Sequence, residues 1–81
     1  MDRYIIYGRS SCGYCTRACD LLESRAVDYV FLNMDEDPIG LKEAKDYYGH
    51  ETVPVILSNN LSTGLVTLVG GYDDLLRSLV L

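Results

Sequence analysis

Tyr4-Ile5-Ile6-Tyr7-Gly8-Arg9-Ser10-Ser11-Cys12-Gly13-Tyr14-Cys15 is the stretch that decides the fold. Its first four residues are a β-rich apolar run closed by Gly8, the pattern of a buried strand. Gly8 to Ser11 is a short polar loop. It delivers Cys12 to the end of the strand, where open α/β sheets place their sites. From Gly13 to Ala26, Cys15, Ala18, Cys19, Leu22 and Ala26 form one apolar stripe of a helix. Thr16, Arg17, Asp20, Glu23 and Ser24 take its polar side. Val27 to Asn33 is a second strand. Strand, helix and strand in about thirty residues make a βαβ unit, with parallel strands and a right-handed crossover.

The cysteine spacing carries the chemistry. Two thiols two residues apart can open and close as a disulfide. Only a thiolate attacks a disulfide, and an ordinary cysteine, with a pKa of about 8.5, is mostly thiol at neutral pH. A helix N-terminus offers unpaired N–H groups and the positive end of the helix dipole, which favour a thiolate at Cys12. Arg9, three residues upstream, adds positive charge. Cys15 lies one turn further in and is expected to be more buried. Cys12 is therefore the expected attacker and Cys15 the resolver.

The whole chain sets bounds on that reading. Its 81 residues suit one small domain, 1–81, and nearly half are apolar, enough for a packed core. A net charge of −5 argues against non-specific nucleic-acid binding, although Arg3, Arg9, Arg17 and Arg25 gather in the N-terminal third. No stretch approaches the roughly 20 apolar residues of a membrane span. Met1-Asp2-Arg3 and the short run after it have no cleavage pattern, so no signal peptide is expected. Three cysteines are too few for a disulfide scaffold, and the expected compartment is a reducing cytoplasm.

Beyond the βαβ unit, Asp35-Glu36-Asp37 reads as a solvated acidic loop that favours the N-terminus of the next helix. Pro38 fits the first position of that helix. Leu41, Ala44 and Tyr48 form its apolar face, and Gly49 caps it. His50 and Glu51 form a connecting loop. Val53 to Ser58 reads as a third strand in which Pro54 marks an edge, a bulge or a strand start. Asn59 to Gly64 is turn chemistry, and Leu65 to Val69 a fourth strand, giving an antiparallel hairpin with a long loop. Gly70-Gly71 breaks it. Asp73 or Asp74 caps a last short helix carrying Leu75, Leu76, Leu79 and Val80.

C-x-x-C is also half of many zinc sites. Cys19 and His50 could complete a Cys3His set with Cys12 and Cys15, but Cys19 shares the helical stripe of Cys15, and no second C-x-x-C or spaced His pair follows. Beside a βαβ pattern, C-x-x-C favours a thioredoxin-like redox site instead, with no metal expected. Cys19 reads as a small core hydrophobe, or alternatively as a secondary thiol open to glutathionylation.

Cys12-Gly13-Tyr14-Cys15, Thr52-Val53-Pro54 and Gly70-Gly71-Tyr72-Asp73-Asp74-Leu75, in that order over nearly the whole chain, resemble the glutaredoxins. The resemblance implies an α/β thioredoxin-like fold, a four-stranded mixed sheet with three helices in the order βαβαββα. It implies a glutathione-linked thiol–disulfide oxidoreductase, with Cys12 and Cys15 catalytic. It also implies a cis peptide bond between Val53 and Pro54, leaving the backbone of Val53 free to pair with a bound peptide like an added strand. Thr52, Val53, Pro54, Gly71, Tyr72, Asp73 and Asp74 would then bind glutathione, its γ-glutamyl end at the helix opened by Asp73 and Asp74, with Asp74 the side-chain contact. Arg9 would meet the glycyl carboxylate, and Tyr14 would pack beside the sulfur.

Three features depart from the family pattern. Gly13 stands where many dithiol members have proline; members with a small residue there can bridge a [2Fe–2S] cluster between protomers. The segment from Pro54 to Gly70 is several residues longer than usual, and the last helix is short. The implied partners are glutathione and disulfide-containing client proteins, ribonucleotide reductase among them, acting on a monomer. The alternatives are a redoxin reduced by thioredoxin reductase and serving ribonucleotide reductase, or a glutathione-ligated [2Fe–2S] carrier.

Overall fold

A computed structural model describes residues 2–80; Met1 and Leu81, the ends of the expected domain, lie outside the described residues, as does the side chain of Val80. The elements run β1 (Asp2–Gly8), α1 (Gly13–Ser24), β2 (Tyr29–Asn33), α2 (Pro38–Tyr48), β3 (Val55–Asn60), β4 (Val66–Gly70) and α3 (Tyr72–Val80). The sheet order is β2-β1-β3-β4. β1 and β2 are parallel, as a βαβ unit requires, whereas β3 runs antiparallel to both β1 and β4. The expected βαβαββα order and mixed sheet are what the chain forms.

Alternation along the strands divides the buried residues between two faces. Ile6 pairs in register with Ile56, and both are buried with Ala18 and Leu22 of α1 and Leu75 of α3. Val55 and Leu57, next to Ile56 along β3, alternate onto the opposite face and are fully buried as well. α2 contributes one buried residue, Leu41.

Element ends depart from the sequence reading at several places. α1 stops at Ser24, two residues before the expected Ala26. The Val27 N–H reaches the Leu22 carbonyl at 3.0 Å and the Ala26 N–H reaches that of Glu23 at 3.0 Å. These two bonds make a Schellman ending, which needs a left-handed residue, and Ala26 supplies it at φ 55°. Val27 is thus spent on the helix end, and β2 begins at Tyr29 rather than Val27. β3 begins after Pro54, because a proline cannot donate to the ladder, so the strand is Val55–Asn60 rather than 53–58.

The hairpin loop is shorter than expected. β3 runs through Asn60, whose side chain accepts the N–H groups of Ser62 at 2.9 Å and Thr63 at 3.2 Å. β4 has a bulge opposite the Ile56–Leu57 step, with Ile56 paired to Gly70 and Leu57 to Leu68. The bulge falls at the end of β4 that leads into Gly71 and α3.

Candidate active site

Cys12 is the N-cap of α1. Its backbone is extended, at φ −88° and ψ 110°, and its Sγ accepts the N–H of Cys15 at 3.1 Å. A sulfur therefore stands where a serine or aspartate oxygen usually caps a helix, at the positive end of the dipole. Cys12 is half-buried. Its own N–H donates to the Arg9 carbonyl at 3.2 Å, which closes the loop from β1. A second tie holds that loop: Asp35, between β2 and α2, accepts the Ser10 N–H at 3.0 Å and the Ser10 hydroxyl. These bonds, the hydroxyl's first, hold the Asp35 carboxyl below the usual carboxylate range. The expected solvated acidic run therefore does structural work: Asp35 anchors the cysteine loop, and Asp37 caps α2 by accepting the Gly40 N–H at 2.8 Å.

Cys15 faces inward, with 1% of its surface exposed. Burial, followed by its hydrogen bond with Cys12, pushes its thiol up to about 12. A proton stays on Cys15 at neutral pH, next to the sulfur of Cys12. Gly8 makes this packing possible, since a Cβ there would stand 2.5 Å from the Cys15 Sγ and 2.8 Å from Phe31. All three cysteines are free thiols. Cys19 is half-buried, and its thiol is also pushed up, mainly by burial and then by Asp20.

Next to the first turn of α1 lies a groove of about 300 Å³. It is walled by Tyr14, by His50 with Thr52, Val53 and Pro54, and by Gly71, Tyr72, Asp73 and Asp74. The Val53–Pro54 bond is cis. The Tyr14 and Tyr72 rings, one from α1 and one from α3, lie 5.9 Å apart. Three segments distant in sequence thus meet beside the dithiol.

The mouth of α3 is built differently from the expectation. The helix opens at Tyr72, not at Asp73 or Asp74. Gly71 is its N-cap, and Asp74, in the third helical position, reaches back to accept the Gly71 N–H at 2.9 Å, half of a capping box. That bond, ahead of the charge of Arg77, holds the Asp74 carboxyl below its usual range. Asp74 also pairs with Arg77. Gly70 sits at φ 122°, where a Cβ would come within 2.8 Å of the Asp74 carboxyl carbon. Only glycine fits there.

One expected site residue stands apart. Arg9 is absent from the groove wall; it lines a separate cavity of about 190 Å³ with Ser10, Cys15, Thr16, Cys19 and Phe31. Among the described residues no three of His, Cys, Asp and Glu converge as a metal site, so the Cys12, Cys15, Cys19 and His50 set is not assembled. Two groups were missed. His50, read as a plain loop residue, lies on the groove wall. Arg17 sits over the Tyr14 ring, 5.2 Å from its centroid. Its position three residues past Tyr14 on one helix was the available signal.

The family model described as glutaredoxin matches residues 4–61. A glutaredoxin of Pseudomonas aeruginosa is 36% identical over 75 residues, covering 93% of this chain and 82% of the relative. The chain belongs to the glutaredoxin family. It is accordingly a glutaredoxin-type thiol–disulfide oxidoreductase. The fold is similar to that of a buckwheat glutaredoxin solved as a glutathione complex, at 22% identity and TM-score 0.75, covering 98% of this chain and 69% of that one. It is also similar to a glutaredoxin-like redoxin of Escherichia coli with a thioredoxin-like activity profile, at 27% identity and TM-score 0.66, covering 93% and 92% of the two chains. Among the described residues, no helix is long and apolar enough to cross a membrane.

Proposed function

We propose that this glutaredoxin reduces protein disulfides and glutathione mixed disulfides with glutathione as reductant, Cys12 attacking and Cys15 resolving. The observation that carries the reading is the pairing of two unlike thiols: Cys12 caps a helix with its sulfur accepting an N–H, and Cys15 is buried and protonated beside it.

In the first step the Cys12 thiolate attacks one sulfur of a client disulfide. A Cys12–client disulfide forms and the other client sulfur leaves as thiolate. Cys15 then attacks the Cys12 sulfur, releasing the second client thiolate, which takes up the proton that Cys15 gives up. The Cys12–Cys15 disulfide carries the oxidation. One glutathione thiolate opens it, forming a Cys12–glutathione disulfide and restoring Cys15. A second glutathione attacks the glutathione sulfur, leaving oxidised glutathione and the Cys12 thiolate. A glutathionylated client needs only Cys12, because attack on its glutathione sulfur gives the same Cys12–glutathione disulfide directly.

The groove supports glutathione as the ligand. Thr52, Val53 and Pro54 form one wall, where the Val53 main chain can pair with a tripeptide as with an added strand. The unpaired N–H groups opening α3 at Tyr72, Asp73 and Asp74 suit a γ-glutamyl carboxylate, and the Asp73 and Asp74 carboxylates suit its ammonium. Tyr14 would flank the sulfur.

The E. coli redoxin, nearly equal to this chain in length, favours a second reading: thioredoxin reductase as the electron donor. Turnover of a glutathionylated peptide, driven either by glutathione with glutathione reductase or by thioredoxin reductase, decides between them. With glutathione, Cys12→Ser should abolish turnover and Cys15→Ser should retain a substantial part. Turnover only with thioredoxin reductase, or equal and complete loss in both variants, would contradict the proposal.

A further inference from the structure

Glutathione at neutral pH carries two carboxylates and one ammonium, so it is a net anion. The groove proposed to bind it has two aspartates on its wall, Asp73 and Asp74. The ammonium can meet those aspartates, but the ligand's carboxylates then lack a cation, and the arginines do not supply one from the wall. Arg9 lines another cavity, Arg17 lies over Tyr14, and Arg77 pairs with Asp74. Among the wall residues, only His50 can carry positive charge.

The position of His50 is fixed by the end of α2. Gly49 turns left-handed at φ 67°, and the His50 N–H then donates to the Lys45 carbonyl at 2.9 Å. Its ring reaches both walls of the groove. Nε2 lies 3.3 Å from the Thr52 hydroxyl, and a Cβ on Gly71 would stand 3.6 Å from the same nitrogen. A hydroxyl both donates and accepts, so the contact with Thr52 survives protonation of the ring. Charging His50 therefore leaves the site intact. The other titratable groups around it are Lys45 and Asp46 of α2 and the neighbouring Glu51, which line an adjacent cavity with it, Tyr14 of α1, and Tyr72, Asp73 and Asp74 of α3.

We propose that His50 is a binding residue for the anionic end of glutathione: its imidazolium holds a ligand carboxylate between the Thr52–Pro54 and Gly71–Asp74 walls and adds positive charge to a groove that otherwise carries only the two aspartates. The inference rests on the glutathione reading above and adds a charge that depends on pH. Histidine is the side chain whose charge ordinarily changes between about pH 5 and 8. The grip on a glutathionylated substrate should therefore be tightest on the acid side of that range, provided Cys12 can still react.

The test is the KM for a glutathionylated peptide, measured for wild type and His50→Gln at about pH 6 and about pH 8.5. Glutamine keeps a hydrogen bond to Thr52 but carries no charge. The ratio of variant to wild type at each pH cancels the shared titration of the thiols. The variant's KM should be about three- to five-fold higher at the acid pH, the scale of a solvent-exposed ion pair, and near wild type at the alkaline pH, with kcat unchanged. His50→Lys, with a fixed charge, should hold KM low at both values, and it keeps the idea testable if the glutamine variant folds poorly. A KM that is unchanged in His50→Gln, or raised by the same factor at both pH values, would overturn the proposal. Wild type that turns over no glutathionylated peptide with glutathione would instead sink the reading beneath it.

Discussion

At the scale of the residue, the site turns on the difference between two cysteines three positions apart. Cys12 has an extended backbone, so its sulfur meets the N–H of Cys15 at a half-buried position at the mouth of α1. Cys15 points into the space left by Gly8, where burial holds its proton. Alkylation of the reduced protein at about pH 8 should therefore label Cys12 first, with Cys15 and Cys19 reacting far more slowly. Peptide mapping after short exposure to iodoacetamide checks this; equal labelling of Cys12 and Cys15 would refute the assignment. His50 belongs to the same scale but was invisible in the sequence. A lone histidine in a loop has no periodicity, and it reaches the groove only because the α2 cap and the turn from β4 into α3 converge.

At the scale of the element, helix bodies were readable and helix ends were not. The stripe Cys15, Ala18 and Leu22 repeats at helical spacing, and all three are buried. The stop two residues before Ala26 had no signal, because the left-handed residue of the Schellman ending is alanine where glycine is usual. An L-residue in that conformation is strained by roughly 1–2 kcal/mol, part of which glycine gives back through the entropy of the unfolded chain. Ala26→Gly should thus stabilise the fold by about 0.5–1 kcal/mol. A higher urea midpoint with an unchanged slope checks it, and a lower midpoint would show that Ala26 is not strained there. The start of α3 was misplaced for a related reason. The capping side chain, Asp74, lies inside the helix and reaches back to Gly71, so a search for a polar residue in front of the helix lands two or three positions late.

At the scale of the molecule, the apolar run of β1 and the βαβ order made the parallel half of the sheet legible, whereas the antiparallel pairing that sets Ile6 beside Ile56 in one core had no local signal. The convergence of Tyr14, Thr52–Pro54 and Gly71–Asp74 around one groove was legible only through the family resemblance; no local pattern brings those segments together. Ties between loops also escaped the sequence, as with Asp35 on Ser10. Asp35 and Asp74 both have carboxyls held below the ordinary range by hydrogen bonds formed on folding. A depressed folded value contributes stability above the unfolded carboxylate value of about 3.9, and that contribution disappears as pH falls through the folded value. Stability should therefore fall on acidification below about pH 4, and Asp35→Asn should flatten part of that fall. Denaturant midpoints across an acid series test it; an identical slope in the variant would count against the loop tie.

The roles of the two cysteines depend on where the first covalent bond to glutathione forms. Cys15→Ser, treated with oxidised glutathione and mapped by mass spectrometry, should carry one glutathione, on Cys12. An adduct mainly on Cys19, or none at all, would contradict it.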